Sequence, residues 1–210
     1  MTEIWCALSR TQRRRKAAVA LFACGLLVLA AISSPAWGVE GLWARSIATA
    51  GMLLMAASVL GRIWCALYIA GRKKVFLVME GPYSLSRNPL YVFSAIGAVG
   101  FGAQSGALAL AILAGAAYVL IFTPVIRKEE SFLEQTLGAP YVAYRDRTPR
   151  WASGFLRPTL WQDEDLLEIE PSRIVRAGGE SALIFLATPV FGAIALAQAY
   201  GGLPVWIPLL

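Results

Sequence analysis

The stretch "NPLYVFSAIGAVGFGAQSGALALAILAGAAYVLIFTP", residues 88–124, reads as two apolar runs joined by the short polar turn GAQSG at 102–106. A helix that crosses a hydrocarbon core needs about 20 residues at roughly 1.5 Å rise each. The first run, 91–103, is short, and the second, 106–123, is close to full length. The pair is therefore expected as a helical hairpin that need not reach the far headgroups. Three further apolar runs, 17–37, 46–70 and 181–200, complete an all-α integral membrane protein of about five transmembrane helices. Composition agrees, because 210 residues that are 58% hydrophobic and only 15% charged cannot make an ordinary soluble domain.

Basic residues set the expected orientation, since retained Lys and Arg mark cytoplasmic loops. RTQRRRK (10–16) precedes the first run, GRKK (71–74) and Arg87 lie between the second and third, and 127–176 carries many more. Outside these stand only Arg45, in the opposite loop, and Arg62, inside the second run. The N-terminus is expected in the cytoplasm and the C-terminus in the periplasm of a bacterial inner membrane. The net charge of +6 is thus a topology signal rather than a nucleic-acid surface. The first run also has the layout of a secretory signal, but SSPAWG (33–38) offers no small-x-small cleavage site.

The chain contains no histidine, which removes histidine triads, HExxH zinc sites and histidine-ligated haem. Cys6, Cys24 and Cys65 have no paired spacing, so neither a disulfide framework nor a metal site is expected. GAVGFG (97–102) has no preceding strand and reads as close helix packing rather than a nucleotide loop.

Two polar segments remain on the inner side. Thr123 and Pro124 suit the cap and first position of a new helix over 125–137. At 100° per residue Val125, Ile126, Phe132, Leu133 and Leu137 form one arc with Glu129 near its middle and Glu130 at its margin. Arg127, Lys128 and Glu134 fall farther round. Gly138 ends that helix, and Pro140 opens another in which Tyr141 and Tyr144 are neighbours.

Together these segments resemble the isoprenylcysteine carboxyl methyltransferase and phospholipid methyltransferase family of membrane-embedded enzymes. The family pattern is GPY, RHPxY at the start of a hairpin, then EExxL, a Gly, YxxY and PR. Here stand Gly81, Pro82, Tyr83, Arg87, Asn88, Pro89 and Tyr91, then Glu129, Glu130, Leu133, Gly138, Tyr141, Tyr144, Pro149 and Arg150. The resemblance covers 72–151 and implies S-adenosylmethionine as cofactor, held on the cytoplasmic side. It implies a division into two N-terminal helices (1–70), a methyltransferase core (71–151) and an interfacial segment with a last helix (152–210). It further implies cofactor contacts from Gly81, Tyr83, Ser84, Leu85, Arg87, Asn88, Tyr91, Glu129, Glu130, Tyr141 and Tyr144. Tyr91, Arg127 and Glu129 are the residues expected nearest the transfer, and no metal is required.

Asn88 stands where the family has histidine, and Val125 where a prenylcysteine enzyme is expected to carry the arginine that pairs with the substrate carboxylate. The expected acceptor is therefore a lipophilic molecule or lipid methylated at a carboxylate, thiol or hydroxyl, each of which needs little deprotonation. Phospholipid N-methylation is the enzymatic alternative. A non-enzymatic scaffold or small transporter subunit is the alternative of another class, and it lacks the polar midplane groups a transporter needs. Arg62 is read either as a structural residue reaching headgroups or Glu80, or as a substrate-facing one. The acidic run 163–170 reads as a solvated face.

Overall fold

A computed structural model of the chain describes residues 18–69, 77–156 and 171–210. Cys6, the basic clusters at 10–16 and 71–74 and the acidic run at 163–170 lie outside the described residues. Helix α1 (Ala18–Ile32) leads into strand β1 (Ser33–Pro35), and a turn precedes α2 (Leu42–Ile69). A single-turn helix α3 (Pro82–Leu85) comes before α4 (Pro89–Ala103) and α5 (Leu108–Leu137), which form the expected hairpin. Helix α6 (Ala139–Arg147) and a 3-10 turn (Ala152–Leu156) follow. The last helical run comprises α7 (Pro171–Ala182), a 3-10 stretch (Leu183–Leu186) and α8 (Ala187–Ala199). Strand β2 (Ile207–Leu209) closes the chain.

The molecule is mostly helical. Leu42–Ile69, Leu108–Leu137 and Ile174–Ala199 are long and apolar enough to cross a membrane, whereas α1 and α4 are shorter apolar helices. Large apolar side chains such as Leu53, Leu60, Ile112, Leu120 and Leu183 are exposed, as lipid-facing surfaces require.

Three sequence expectations need correction. The first apolar run does not continue as helix to residue 37, because Pro35 biases Ser34 toward extended backbone. Ser33–Pro35 instead pairs in parallel with Ile207–Leu209, so the fold is not purely α. Pro208 is tolerated there because a two-stranded sheet consists only of edges. Second, Thr123 and Pro124 do not start a new helix, since α5 runs unbroken through Pro124. Pro124 is exposed, and the buried stripe Tyr118, Phe122, Ile126 and Glu130 passes it on the other side. The packing of that stripe outweighs one lost backbone hydrogen bond. Third, that stripe puts Glu130 inside and leaves Glu129 half-buried, the reverse of their order on the arc. An isolated 13-residue helix follows its apolar arc, whereas here Arg87, Asn88 and Arg150 draw Glu130 to the inside.

Close packing of α2 on α4 is built from small residues, as GAVGFG suggested. A Cβ on Gly100 would lie 2.6 Å from the Gly51 carbonyl oxygen, and one on Gly97 would lie 2.5 Å from Ser58 Oγ. A core of Leu26, Ala30, Met55, Leu110, Ala114, Ala187 and Phe191 joins α1, α2, α5 and α8. A second, Tyr91, Tyr118, Phe122 and Ile126, fills the α4–α5 contact next to the polar end of the hairpin.

Candidate active site

Residues 81–91 fold as two helix starts in tandem. Gly81 has φ 57°, a conformation that favours glycine, and it lies against the Tyr68 ring. Pro82 and Pro89 each occupy a first helical turn, where the missing N–H is harmless. Between them Ser86 Oγ accepts from the Asn88 N–H at 3.1 Å and donates to the Arg150 carbonyl at 3.1 Å. The second polar segment turns at Gly138, φ 63°, which ends α5 and begins α6.

The two segments close on each other. The Arg87 N–H donates to the Pro149 carbonyl at 2.9 Å, and its Nη1 donates to the Arg145 carbonyl at 2.9 Å. Tyr144 OH donates to the Tyr83 carbonyl at 2.7 Å. Gly154 packs so closely on the Leu85 carbonyl that an added Cβ would overlap it.

Glu130 is the centre of this closure. Its Oε1 accepts from Asn88 Nδ2 at 2.9 Å and lies 3.3 Å from Arg87 Nε, an ion-pair distance without hydrogen-bond alignment. Its Oε2 accepts from Arg150 Nε at 2.9 Å and from Nη2 at 2.7 Å. A buried carboxylate with two guanidinium partners is fully compensated. One turn of α4 away, Tyr91 OH donates to Glu129 Oε2 at 2.9 Å.

Tyr83, Tyr141 and Tyr144 are buried beside this network. Burial, then the charge of Glu130, pushes Tyr141 up to about 12. Burial is also the first cause that raises Tyr83 and Tyr144, followed by Cys65 for the former and Tyr141 for the latter. All three are neutral phenols near pH 7, able to donate hydrogen bonds and unable to serve as bases. The hydroxyls of Tyr83 and Tyr141 have no hydrogen-bond partner among the described residues. Buried hydroxyls of this kind suit a ligand rich in hydrogen-bonding groups.

Gly81, Tyr83, Ser84, Leu85, Arg87, Asn88, Tyr91, Glu129, Glu130, Tyr141 and Tyr144 thus come together at one end of the hairpin. Arg127 does not, because it is exposed on α5 and has no ion pair among the described residues. Arg150 and Ser86 belong to the network but were not among the expected site residues. Arg150 was visible only as the end of the PR motif; Ser86 carried no signal, since its role is to bridge segments 64 residues apart. Arg62 does not pair with Glu80, and its bonds go to Ser94 and Ser181 instead. No group of three or more His, Cys, Asp and Glu suited to a metal occurs among the described residues.

A family model described as phospholipid methyltransferase matches residues 48–139, which hold the hairpin, the GPY and RNPxY segment and both glutamates. The nickel-cobalt-cadmium resistance protein NccN of Alcaligenes xylosoxydans xylosoxydans is 35% identical over 164 residues, 78% of this chain and 75% of that protein. The cobalt-zinc-cadmium resistance protein CzcN of Cupriavidus metallidurans is 38% identical over 138 residues, 65% of this chain and 62% of that protein. No solved structure matches the chain. The fold and the match together define an integral membrane protein with a methyltransferase domain. The chain belongs to the phospholipid methyltransferase family.

Proposed function

We propose that the chain is an S-adenosylmethionine-dependent methyltransferase, similar to the isoprenylcysteine carboxyl methyltransferases in motif layout. Its acceptor is a lipophilic molecule drawn from the bilayer and methylated at a carboxylate, thiol or hydroxyl. The observation that carries this reading is the closure of residues 81–91 on Glu130, Tyr144 and Arg150, with the Tyr91–Glu129 pair and buried Tyr141 at the same end of the hairpin.

In this reading Glu130 holds the two segments together, and Glu129, oriented by Tyr91, faces the cofactor. The Tyr83 and Tyr141 hydroxyls, without partners among the described residues, donate to its polar groups. The bound cofactor supplies a methyl group already activated by a sulfonium, so the protein's task is alignment and exclusion of water. The excess of Lys and Arg in the sequence flanking residues 81–151 assigns the cofactor site to the cytoplasmic side. The N-terminus is then cytoplasmic, and a reporter fused after Leu210 is expected to read periplasmic.

Phospholipid N-methylation is the second reading, favoured by the family description itself. An ammonium acceptor must first lose a proton, and the three buried tyrosines cannot take it, which leaves Glu129 to do so. The names of the two relatives add a phenotype for this chain: loss of the gene is expected to change growth of its host in nickel, cobalt or cadmium salts.

Isothermal titration of the purified protein with S-adenosylmethionine and S-adenosylhomocysteine tests the cofactor. Membranes incubated with methyl-labelled cofactor test the acceptor: base-labile label in the organic extract indicates an ester, and stable label an ether or thioether. Methylated ethanolamine lipid would overturn the acceptor and keep the methyltransferase. Absence of cofactor binding would overturn both.

A further inference from the structure

Arg62 is an arginine inside an apolar span, about 10 Å along α2 from Ile69 at 1.5 Å per residue. Its Nε donates to Ser181 Oγ at 2.8 Å, and its Nη1 donates to Ser94 Oγ. A guanidinium has five N–H donors, and these two bonds leave three with no acceptor among the described residues. No carboxylate there lies at ion-pair distance either. A cation in such a place is stabilised only when an anion or water meets it, and two neutral hydroxyls supply no charge.

The same side chain lines a cleft of about 240 Å³ together with Ala66, Ile69, Leu90, Ala177, Glu180 and Ser181. The cleft is bounded by α2, α4 and α7. Its volume suits a headgroup rather than a whole lipid. Ile69 in the lining and Val175 on α7 are exposed, so an acyl chain has apolar surface beside the cleft. Leu90 in its wall is adjacent in sequence to Tyr91, the partner of Glu129. Glu180 is exposed and is the one acidic group in the lining.

Resting on the methyltransferase reading, we propose that this cleft is the acceptor's docking site and that Arg62 grips an oxyanion at the head of an anionic membrane lipid. Ser94 and Ser181 hold the guanidinium in place; the acyl chain leaves the cleft between α2 and α7 into the bilayer. Glu180, the exposed acidic group in the lining, weakens the attraction for an anion.

The test is native mass spectrometry of the full chain in detergent, titrated with phosphatidic acid, with phosphatidylcholine as zwitterionic control and inorganic phosphate as free anion. Wild type is expected to prefer phosphatidic acid to phosphatidylcholine by about tenfold, the worth of one charge-assisted contact. Arg62→Gln loses that preference, and Arg62→Lys retains part of it. Glu180→Gln tightens phosphatidic acid about twofold, as expected for a partly exposed charge. Ala66→Phe, which fills the cleft, abolishes binding of the lipid. Should Arg62→Gln fail to fold, the last two variants decide, and no change in either overturns the inference. Equal binding of the two lipids, or unchanged preference in Arg62→Gln, also overturns it. Competition by equimolar inorganic phosphate overturns the lipid as the source of the anion. Cofactor titration on the same samples separates the two levels: loss in wild type sinks the methyltransferase reading, whereas retained cofactor binding with no lipid preference sinks only this one.

Discussion

Arginine occurs in two contrasting settings in this molecule. At the polar end of the hairpin Arg87 and Arg150 meet one buried glutamate, Glu130, whose four acceptor positions face Asn88 and the two guanidiniums. In the cleft between α2, α4 and α7, Arg62 meets two hydroxyls and no carboxylate among the described residues. In the first setting the carboxylate is met by both guanidiniums and backbone segments are tied together. The second leaves a cation to be satisfied from outside. A carboxylate that already meets two guanidiniums holds a structure together; a guanidinium that meets no carboxylate among the described residues is available to a ligand.

The sharpest way to break this comparison is Glu130→Ala. Removing the carboxylate strands a buried arginine, which typically costs about 3–5 kcal/mol, and denaturant unfolding in detergent measures it. Unfolding close to wild type would mean that the network does not hold the segments. Next comes Glu129→Gln, expected to weaken S-adenosylmethionine by about 10- to 150-fold, equivalent to 1.5–3 kcal/mol, with little change in unfolding. Unfolding and titration calorimetry together separate the two glutamates: the first variant loses stability, the second affinity.

A smaller stability effect is expected from Gly154→Ala, whose Cβ overlaps the Leu85 carbonyl. Overpacking of this kind costs about 1–3 kcal/mol and is read as a lower unfolding midpoint. Alkaline pH acts on the same end of the molecule. Tyr141 is held at about 12 in the fold against an ordinary value of 10.0. Its contribution is whole below pH 10 and is lost as pH rises toward and through 12. A stability profile flat to pH 10 that falls beyond it, and falls less in Tyr141→Phe, checks the sign. The smallest effect is expected from Glu134→Gln, which removes a solvent-exposed pair with Arg145 at 2.9 Å. Cofactor affinity and unfolding should both stay at wild-type values, which makes it the control for Glu129→Gln.

Much of the architecture follows from local pattern. The apolar runs, the GAQSG turn, the helix stop at Gly138 and the Tyr141–Tyr144 pairing need only hydrophobic length, glycine conformation and helical spacing. Their physical causes act over a few residues. The motif pairs were legible for the same reason, because GPY, RNPxY and EExxL keep their order and composition in the chain.

Other features depend on partners far away in sequence. Pro124 marks a boundary in the sequence and not in the fold, because packing on α4 carries α5 across it. The strand pairing of residues 33–35 with 207–209 has no periodic signal and exists only when the two ends of the described chain meet. Which of Glu129 and Glu130 lies inside was decided by Arg87, Asn88 and Arg150, brought to α5 by two different segments. Arg62 likewise stood out in the sequence as a charge in an apolar run. Only the approach of α7 gave it Ser181 and a cleft. Apolar runs and turns depend on nearby residues and are legible in the sequence, whereas the side a charge faces and its compensation depend on atoms within about 4 Å, and those the tertiary structure alone supplies.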